Sequence, residues 1–154
     1  MFSSELICNI IEYIHNNLNK EITIDELSII FYYNKTYIMK KFKKDLGISI
    51  HNYINTLRIY NSLSYFKDDV YFLSIAFRNG FNSLEYFSET FKKIVGVSPT
   101  IYKKYINHTG IIAKTAEEKI LSSLNNIITI RDKAIIYLAH KKPKSTPIKQ
   151  IIIK

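Results

Sequence analysis

The sequence predicts a mainly α-helical fold in which two similar helix-turn-helix subdomains are joined by a long helix and followed by a small tail. Three observations predict this class: apolar residues recur at helical spacing, helix N-cap residues precede several of those stretches, and part of the chain repeats. Four glycines and three prolines in 154 residues leave few breaks between elements. With 47% apolar residues, the chain has the composition of a folded protein.

An internal repeat is the most informative feature, since residues 37–53 reappear 49 positions later with matching residue types. Two copies are too few for a solenoid, so the repeat indicates two similar small units with a connector between them. The matching pairs are Tyr37 and Tyr86, Phe42 and Phe91, Lys43-Lys44 and Lys92-Lys93, Gly47 and Gly96, Ile48 and Val97, Ser49 and Ser98, and Tyr53 and Tyr102.

The first copy is preceded by two predicted helices. Apolar residues at three- and four-residue spacing over 6–18 describe one face of a helix that ends near Asn19. Thr23 and Glu26 have the spacing of a capping box, which predicts the start of a second helix. That helix is followed by a break near Tyr32.

A third helix is predicted to begin after Asn34, because an asparagine side chain can accept hydrogen bonds from the first free N–H groups. Gly47 supplies its C-terminal stop. Ile38, Phe42 and Leu46 then point inward, and lysines occupy much of the remaining surface. A short helix, a tight turn and a second helix with a cationic outer face are typical of a helix-turn-helix motif.

The connector between the copies is predicted to be one helix over residues 49–66. A helix of about eighteen residues is roughly 27 Å long. Successive major-groove turns lie about 34 Å apart on one face of B-DNA, so a rigid helix of this order could hold two other helices in consecutive turns.

The second copy shows the same order of elements. A short apolar helix over 73–77 leads to Asn79-Gly80, a dipeptide that favours a turn. Ser83 is the predicted cap of a helix that runs to Lys93. Ser98-Pro99 then starts another short helix.

The tail after the second copy predicts mixed structure. Thr115 and Glu118 form another capping box, which predicts a helix over about 116–125. The β-prone runs 127–130 and 134–138 could pair as a hairpin.

Composition excludes several classes of protein. The longest apolar run, 134–139, is far too short to cross a membrane, and Cys8 is the single cysteine, which suits a reducing cytoplasm. The four histidines have no metal-ligand spacing and Cys8 has no neighbouring base, so we expect no catalytic residues, no metal site and no cofactor. The net charge of +9 predicts a polyanionic partner, although +6 of it lies in residues 107–154.

An ordered series of residues carries a family resemblance. In the second copy it consists of Ile75-Ala76, Gly80-Phe81, Tyr86-Phe87-Ser88, Phe91-Lys92-Lys93, Gly96-Val97-Ser98-Pro99 and Tyr102-Lys103. In the first copy it consists of Leu27, Tyr37, Phe42-Lys43-Lys44, Gly47, Tyr53 and Arg58. The series resembles the DNA-binding domain of the AraC/XylS family of bacterial transcription regulators, although Tyr32 stands where the family usually has a turn glycine.

The resemblance implies a seven-helix DNA-binding domain over residues 8–105 and leaves 106–154 as an extension of unknown role. It further implies a cytoplasmic regulator of the family's stand-alone subgroup, whose partner is double-stranded DNA. An activator that contacts RNA polymerase is implied by the resemblance alone.

In a helix-turn-helix motif the second helix enters the major groove, so we expect recognition helices over about 34–46 and 83–94. Lysine can donate to guanine and glutamate can accept from cytosine N4. The first helix, which is cationic, is expected to supply affinity together with Lys92, Lys93 and Lys103, and the second unit is expected to contribute discrimination or to bind only loosely. The expected DNA contacts are Lys35, Thr36, Met39, Lys40, Lys43 and Lys44 in the first helix and Ser83, Leu84, Glu85, Ser88, Glu89, Lys92 and Lys93 in the second.

Other residues have simpler expectations. Tyr37, Phe42, Phe87 and Phe91 are predicted to be core residues rather than stacking platforms for bases. Arg58, on the connecting helix, could hold a phosphate or pair with a neighbouring side chain.

Alternatives stay open at two levels. The acidic second helix and Tyr32 also suit an interaction or adaptor protein that keeps the fold but binds DNA weakly or without specificity. The tail could be the stub of an effector domain, a dimerisation element or a basic arm on DNA. We expect its helix to pack on the DNA-binding domain and the Lys141-Lys142-Lys144 cluster to add non-specific affinity.

Overall fold

The computed structural model describes residues 2–107 and 114–139, and every regular element in those ranges is helical. The elements are α1 (Phe2–Asn16), α2 (Ile24–Phe31), α3 (Lys35–Leu46), α4 (Ile50–Ser62), a 3₁₀ helix (Leu63–Lys67), α5 (Phe72–Arg78), α6 (Leu84–Val95), α7 (Pro99–Asn107) and α8 (Lys114–Ala139). The chain forms two compact units: unit 1 contains the described residues of Met1–Ile54 and Ile130–Lys154, and unit 2 contains those of Asn55–Thr129. No helix in the described ranges is long and apolar enough to span a membrane.

Unit 1 begins with α1, whose leucine and isoleucine side chains are buried, and continues with the capped helix α2. The predicted cap is confirmed, because the Glu26 N–H donates to Thr23 Oγ1 at 3.1 Å. The Glu26 carboxylate accepts a hydrogen bond from the Tyr13 hydroxyl at 2.6 Å. This bond raises the pKa of Tyr13 to about 12, because it and the nearby negative charge favour the protonated phenol.

The third helix is confirmed at both ends. Asn34 Oδ1 accepts from the N–H of Thr36 at 2.8 Å, and Gly47 ends α3 with a left-handed φ of 75°. Ile38, Phe42 and Leu46 are buried, as predicted.

The connecting helix is shorter than predicted. Instead of one helix over 49–66, α4 ends at Ser62 and a 3₁₀ helix over Leu63–Lys67 follows. The Ser62 hydroxyl donates to the carbonyl of Ile59 at 2.6 Å, a local bond of the kind that competes with the helical backbone pattern. The α-helix is therefore about 20 Å long rather than 27 Å.

An aromatic cluster forms the core of unit 2. Phe66, from the 3₁₀ helix, lies 5.1 Å from Phe91 and 5.2 Å from Tyr102, measured between ring centroids. Phe87 packs 5.7 Å from Phe91. Offset and edge-to-face pairs at these distances are favourable, so this cluster fixes the inner face of α6 against α7.

The tail helix extends through the segment predicted to be a hairpin. The runs 127–130 and 134–138 both lie inside α8, and the structure does not confirm the hairpin. The buried side chains Ile120 and Ile127 belong to the core of unit 2, and Ala134 and Leu138 are buried in unit 1. These four buried side chains are seven, seven and four residues apart, a spacing that fits one face of a helix. Their burial outweighs the preference of the same residues for a β-strand.

Two further tail predictions have different outcomes. Because α8 begins at Lys114, Thr115 lies inside the helix and the predicted cap at that residue is not confirmed. The expected packing of the tail helix on the preceding helices is confirmed by Ile120 and Ile127. The Lys141-Lys142-Lys144 cluster lies outside the described residues.

Candidate nucleic-acid interface

The outer face of α3 is an exposed stripe of two lysines and two neutral residues. Thr36, Met39, Lys40 and Lys43 are all exposed and have the spacing i, i+3, i+4 and i+7 that places residues on one side of a helix. The buried residues of α3 lie on the opposite side. Lys44 is exposed beside the stripe, so all these predicted contacts are accessible to a ligand of unit 1.

The two remaining lysines of α3 are held in ion pairs. Lys35 pairs with Asp25, at the start of α2, and both side chains are exposed. Lys41 pairs with Asp45 at 3.0 Å, and both of these side chains are largely buried. Exposed ion pairs contribute little to stability, so this pair holds Lys35 only weakly.

The prediction that Tyr37 is a core residue is wrong. Its side chain is 44% exposed and stacks on Tyr33, with ring centroids 5.4 Å apart and an interplanar angle of 17°. The physical reason is helical phase, because Tyr37 stands three and seven residues before Lys40 and Lys44 and so shares their outward side. Phe42, Phe87 and Phe91 are fully buried, as predicted.

The outer face of α6 has a mixed charge. Glu85, Glu89 and Lys92 are exposed at i, i+4 and i+7, and Lys93 is exposed next to them. Two carboxylates and two ammonium groups leave this helix with no net charge from its side chains.

Three of the predicted DNA contacts at or near the start of α6 have a structural role or are less exposed than its charged residues. Ser83 is the N-cap and accepts from the N–H of Tyr86 at 3.1 Å. Leu84 is half-buried and packs against the core of unit 2. Ser88 is half-buried at the side of the charged outer face of α6.

The connecting helix supports α6 through polar contacts. The Asn55 side-chain amide donates to the hydroxyl of Tyr86 at 2.9 Å. Burial lowers the pKa of the nearby Arg58 from its usual value, and its interaction with Tyr86 partly offsets that effect. These observations favour the alternative in which Arg58 pairs with a neighbouring side chain. Lys103, another predicted source of affinity, lies 5.9 Å from the centre of the Phe72 ring.

The glycines that end α3 and α6 both lie against α8. A Cβ atom on Gly96 would come within 3.1 Å of Lys119 Cβ and 3.2 Å of Ser123 Oγ. A Cβ on Gly47 would lie 3.6 Å from Lys133 Nζ. Sequence reasoning missed these contacts, and the seven-residue spacing of Ile120, Ile127 and Ala134 was the available signal.

A half-buried histidine on α1 lies near side chains of α4 and α8 in unit 1. A ring nitrogen of His15 lies 2.7 Å from the Tyr53 hydroxyl. Burial and the charge of Arg131 together lower the pKa of His15 to about 4. Cys8 is buried and donates to the carbonyl of Tyr137 at 3.1 Å. Among the described residues, no group of three or more His, Cys, Asp or Glu side chains is placed to hold a metal ion.

Comparisons with known proteins agree with this geometry. The family model described as a helix-turn-helix domain matches residues 27–105. The uncharacterized HTH-type transcriptional regulator YtdP of Bacillus subtilis is 32% identical over 97 residues, which cover 62% of this chain and 13% of YtdP. The HTH-type transcriptional activator AarP of Providencia stuartii is 27% identical over 110 residues, which cover 71% of this chain and 80% of AarP. The chain thus spans 13–14% of the length of the first three relatives.

Solved structures show the same fold. The C-terminal domain of AraT, a response regulator from Geobacillus stearothermophilus, superposes with a TM-score of 0.59 and 25% identity over 70% of this chain and 88% of that domain. The DNA-binding domain of AdpA, solved with a target DNA, shares the fold at a TM-score of 0.58 and 18% identity, covering 70% of this chain and 94% of that one. Because the family model matches half of the chain and spans both helix-turn-helix copies, the chain belongs to the AraC/XylS family of helix-turn-helix transcription regulators.

Proposed function

We propose that the chain binds double-stranded DNA and regulates transcription by inserting α3 and α6 into successive turns of the major groove. The observation that carries the proposal is the exposed stripe of Thr36, Met39, Lys40 and Lys43 on the second helix of a correctly capped helix-turn-helix. Such a helix presents its first turns to base edges while neighbouring groups hold phosphates. A cytoplasmic location follows from this proposal, because a bacterial regulator must reach the chromosome.

In this proposal α3 supplies most of the affinity. Lys40 donates to guanine O6 or N7, and Thr36 or Met39 packs against a thymine methyl group. Lys43 and Lys44, farther along the helix, hold phosphates. Each such contact releases counterions and adds about one unit to the salt dependence of binding.

The second recognition helix then contributes discrimination. Glu85 or Glu89 accepts a hydrogen bond from cytosine N4, while Lys92 and Lys93 offset their charge near the backbone. A carboxylate in a groove lined by phosphates is tolerated where it makes a specific hydrogen bond, so the α6 contacts favour particular bases.

The proposed DNA-binding domain covers residues 8–105, and 106–154 is proposed to assist it. The Lys141-Lys142-Lys144 cluster adds non-specific affinity in this proposal. Removing residues 140–154 should therefore weaken binding to all duplexes alike. Unchanged binding with lost self-association would instead identify the segment as a dimerisation element.

We further propose that the chain acts as an activator that contacts RNA polymerase. The support is AarP, a relative whose name describes an activator and which this chain covers over most of its length. Transcription with purified polymerase from a promoter bearing the footprinted site tests this. Added protein should raise transcript yield, and a fall in yield would indicate a repressor.

Footprinting across the source genome tests the central proposal. Discrete protected sites of about two helical turns are expected, and Lys40→Glu should abolish them. Lys67→Glu is the matched control, since Lys67 is exposed at the end of the 3₁₀ helix and away from α3 in sequence. Uniform weak protection without discrete sites would favour the adaptor alternative. The left-handed φ of 57° at Tyr32 lets the first turn form without glycine, which favours DNA binding over that alternative.

A further inference from the structure

The stacked pair Tyr33 and Tyr37 is a surface feature of unit 1 that neither the core nor the contacts proposed above explain. The two side chains are 41% and 44% exposed, and their rings lie nearly parallel. Such stacking holds the rings against one another and restricts the orientation of the Tyr37 side chain.

Tyr37 stands in the first turn of α3, on the same side as Lys40 and Lys44. Its backbone is anchored by the cap, because its N–H donates to Asn34 Oδ1 at 3.4 Å. Within the part of the chain that the structure describes, its hydroxyl has no hydrogen-bond partner. The first turn of α3 therefore presents an oriented donor beside two exposed ammonium groups.

The equivalent residue of the second copy is used differently. Tyr86 is similarly exposed, but its hydroxyl accepts a hydrogen bond from the Asn55 amide. A tyrosine at this helix position can therefore be tied to its own unit. Tyr37 has a tyrosine stacked on it instead, which leaves the hydroxyl available to a ligand.

We infer that the Tyr37 hydroxyl donates a hydrogen bond to a phosphate oxygen of duplex DNA, with Tyr33 as the residue that positions it. This inference rests on the proposed function, because it requires α3 at the DNA. Tyrosine hydroxyls are among the groups that hold phosphates and set the register of a protein on the duplex. The neighbouring lysines attract the same phosphates, and a ring already stacked in the free protein loses less entropy on binding.

The test is Tyr37→Phe in the full chain, since phenylalanine keeps the ring and the stack but lacks the donor. Dissociation constants are measured by fluorescence anisotropy on the footprinted duplex and on an unrelated duplex, across a range of salt concentrations. Loss of one hydrogen bond should weaken both affinities by about 3- to 10-fold. The salt dependence should stay unchanged, because a neutral hydroxyl releases no counterion.

Two companion variants complete the design. Tyr33→Leu should weaken binding to both duplexes by a smaller factor, because Tyr37 is then free to reorient. Tyr71→Phe is the matched control, since Tyr71 is 86% exposed at the start of α5, and its affinities should equal those of the wild type. Circular dichroism melting curves confirm that each variant is folded.

These measurements separate failure of this inference from failure of the proposed function. Unchanged affinity in Tyr37→Phe overturns the inference, and a loss confined to the footprinted duplex overturns the phosphate assignment in favour of a base contact. If Lys40→Glu weakens binding while Tyr37→Phe does not, this inference alone fails. If neither variant changes binding, α3 is not at the DNA and the proposed function fails.

Discussion

The two helix-turn-helix copies have the same framework but differently charged outer surfaces. Both second helices begin at a side-chain cap, Asn34 or Ser83, and both end at a glycine with positive φ. Yet α3 carries five lysines and one aspartate, whereas α6 carries two lysines and two glutamates. The residues that start and end the helix are of the same kind in both copies, whereas the exposed residues that are proposed to contact DNA differ in charge.

The interiors of the copies differ as well. Among the described residues, Phe91 has three aromatic neighbours, at centroid distances of 5.1, 5.5 and 5.7 Å, whereas Phe42 has one, Tyr53 at 5.4 Å. In the described part of unit 2, aromatic rings thus pack against the inner face of α6. In unit 1 the equivalent helix depends more on aliphatic packing and on the ion pair of Lys41 with Asp45.

The largest effect is expected from removing these equivalent phenylalanines. Phe91→Ala should lower the free energy of unfolding by about 4–5 kcal/mol and Phe42→Ala by about 3 kcal/mol, because each lost ring pair adds to the cost of the cavity. Urea denaturation measures both values, with Phe91→Leu and Phe42→Leu as milder substitutes if the alanine variants do not fold. Equal losses in the two units would contradict the difference in packing.

Charge reversal on the two outer faces comes next. Lys40→Glu should weaken binding to DNA by about 10- to 100-fold and lower the salt dependence by at least about one unit. Glu89→Lys should strengthen non-specific binding and reduce discrimination between duplexes. Anisotropy titrations on matched and unrelated duplexes measure both effects. If Lys40→Glu leaves specific binding intact while Glu89→Ala abolishes it, the roles assigned to the two helices are reversed.

Acid should destabilise unit 1 through His15. The pKa of His15 is about 4 in the folded protein against 6.5 for the free side chain, so the unfolded chain binds more protons between these values. The free energy of unfolding is therefore unaffected by His15 above about pH 7 and falls as the pH drops toward 4. The loss is roughly 2 kcal/mol at pH 5. Tyr53 and Arg131 face the ring, and neither neutralises an imidazolium.

The variant that isolates this contribution is His15→Gln, which cannot titrate in that range. Melting temperatures at pH 7.5 and pH 5 should differ less for the variant than for the wild type. The other titratable groups are the same in both proteins, so the difference reports on His15. An identical loss in both proteins would show that this histidine does not sense pH.

The smallest effect is expected at the turns. Tyr32 holds a positive φ of 57° at a cost of roughly 1 kcal/mol, so Tyr32→Gly should leave stability unchanged or raise it by up to about 1 kcal/mol. Gly80 has a φ of 85°, and Gly80→Ala should destabilise by about 1 kcal/mol or more. Urea denaturation of the pair measures how differently the two copies make the same turn.

Features that depend on residues close together in the sequence were predictable, whereas features that depend on contacts between distant residues were not. Thr23, Asn34 and Ser83 were recognisable as caps, because a cap depends on a donor two or three residues away. The buried stripe of α3 was predictable from its spacing. The end of α4 was not, because the sequence alone shows neither the hydrogen bond of Ser62 to the Ile59 carbonyl nor the packing of Phe66 among rings from α6 and α7.

The candidate site was predictable in part. Exposure of Lys40 and Glu89 follows from helical phase, and the same rule applied strictly would have placed Tyr37 outside the core. The partial burial of Leu84 was not predictable, because it depends on which residues of unit 2 approach the start of α6.

The sequence by itself thus determined the local structure of this protein. The residues that start the helices, the glycines that end them and the inward-facing phenylalanines of the repeat all act on residues within a few positions of themselves. Tertiary contacts decided what identical residues do. Tyr37 and Tyr86 occupy the same place in the repeat, yet one is stacked with its hydroxyl unpaired among the described residues and the other is bonded to Asn55. The β-prone segment of α8 became helical for the same reason, since the cores of the two units offered buried places for Ile127 and Leu138 at helical spacing. Burial of those side chains outweighs a local preference that spans at most about 1 kcal/mol.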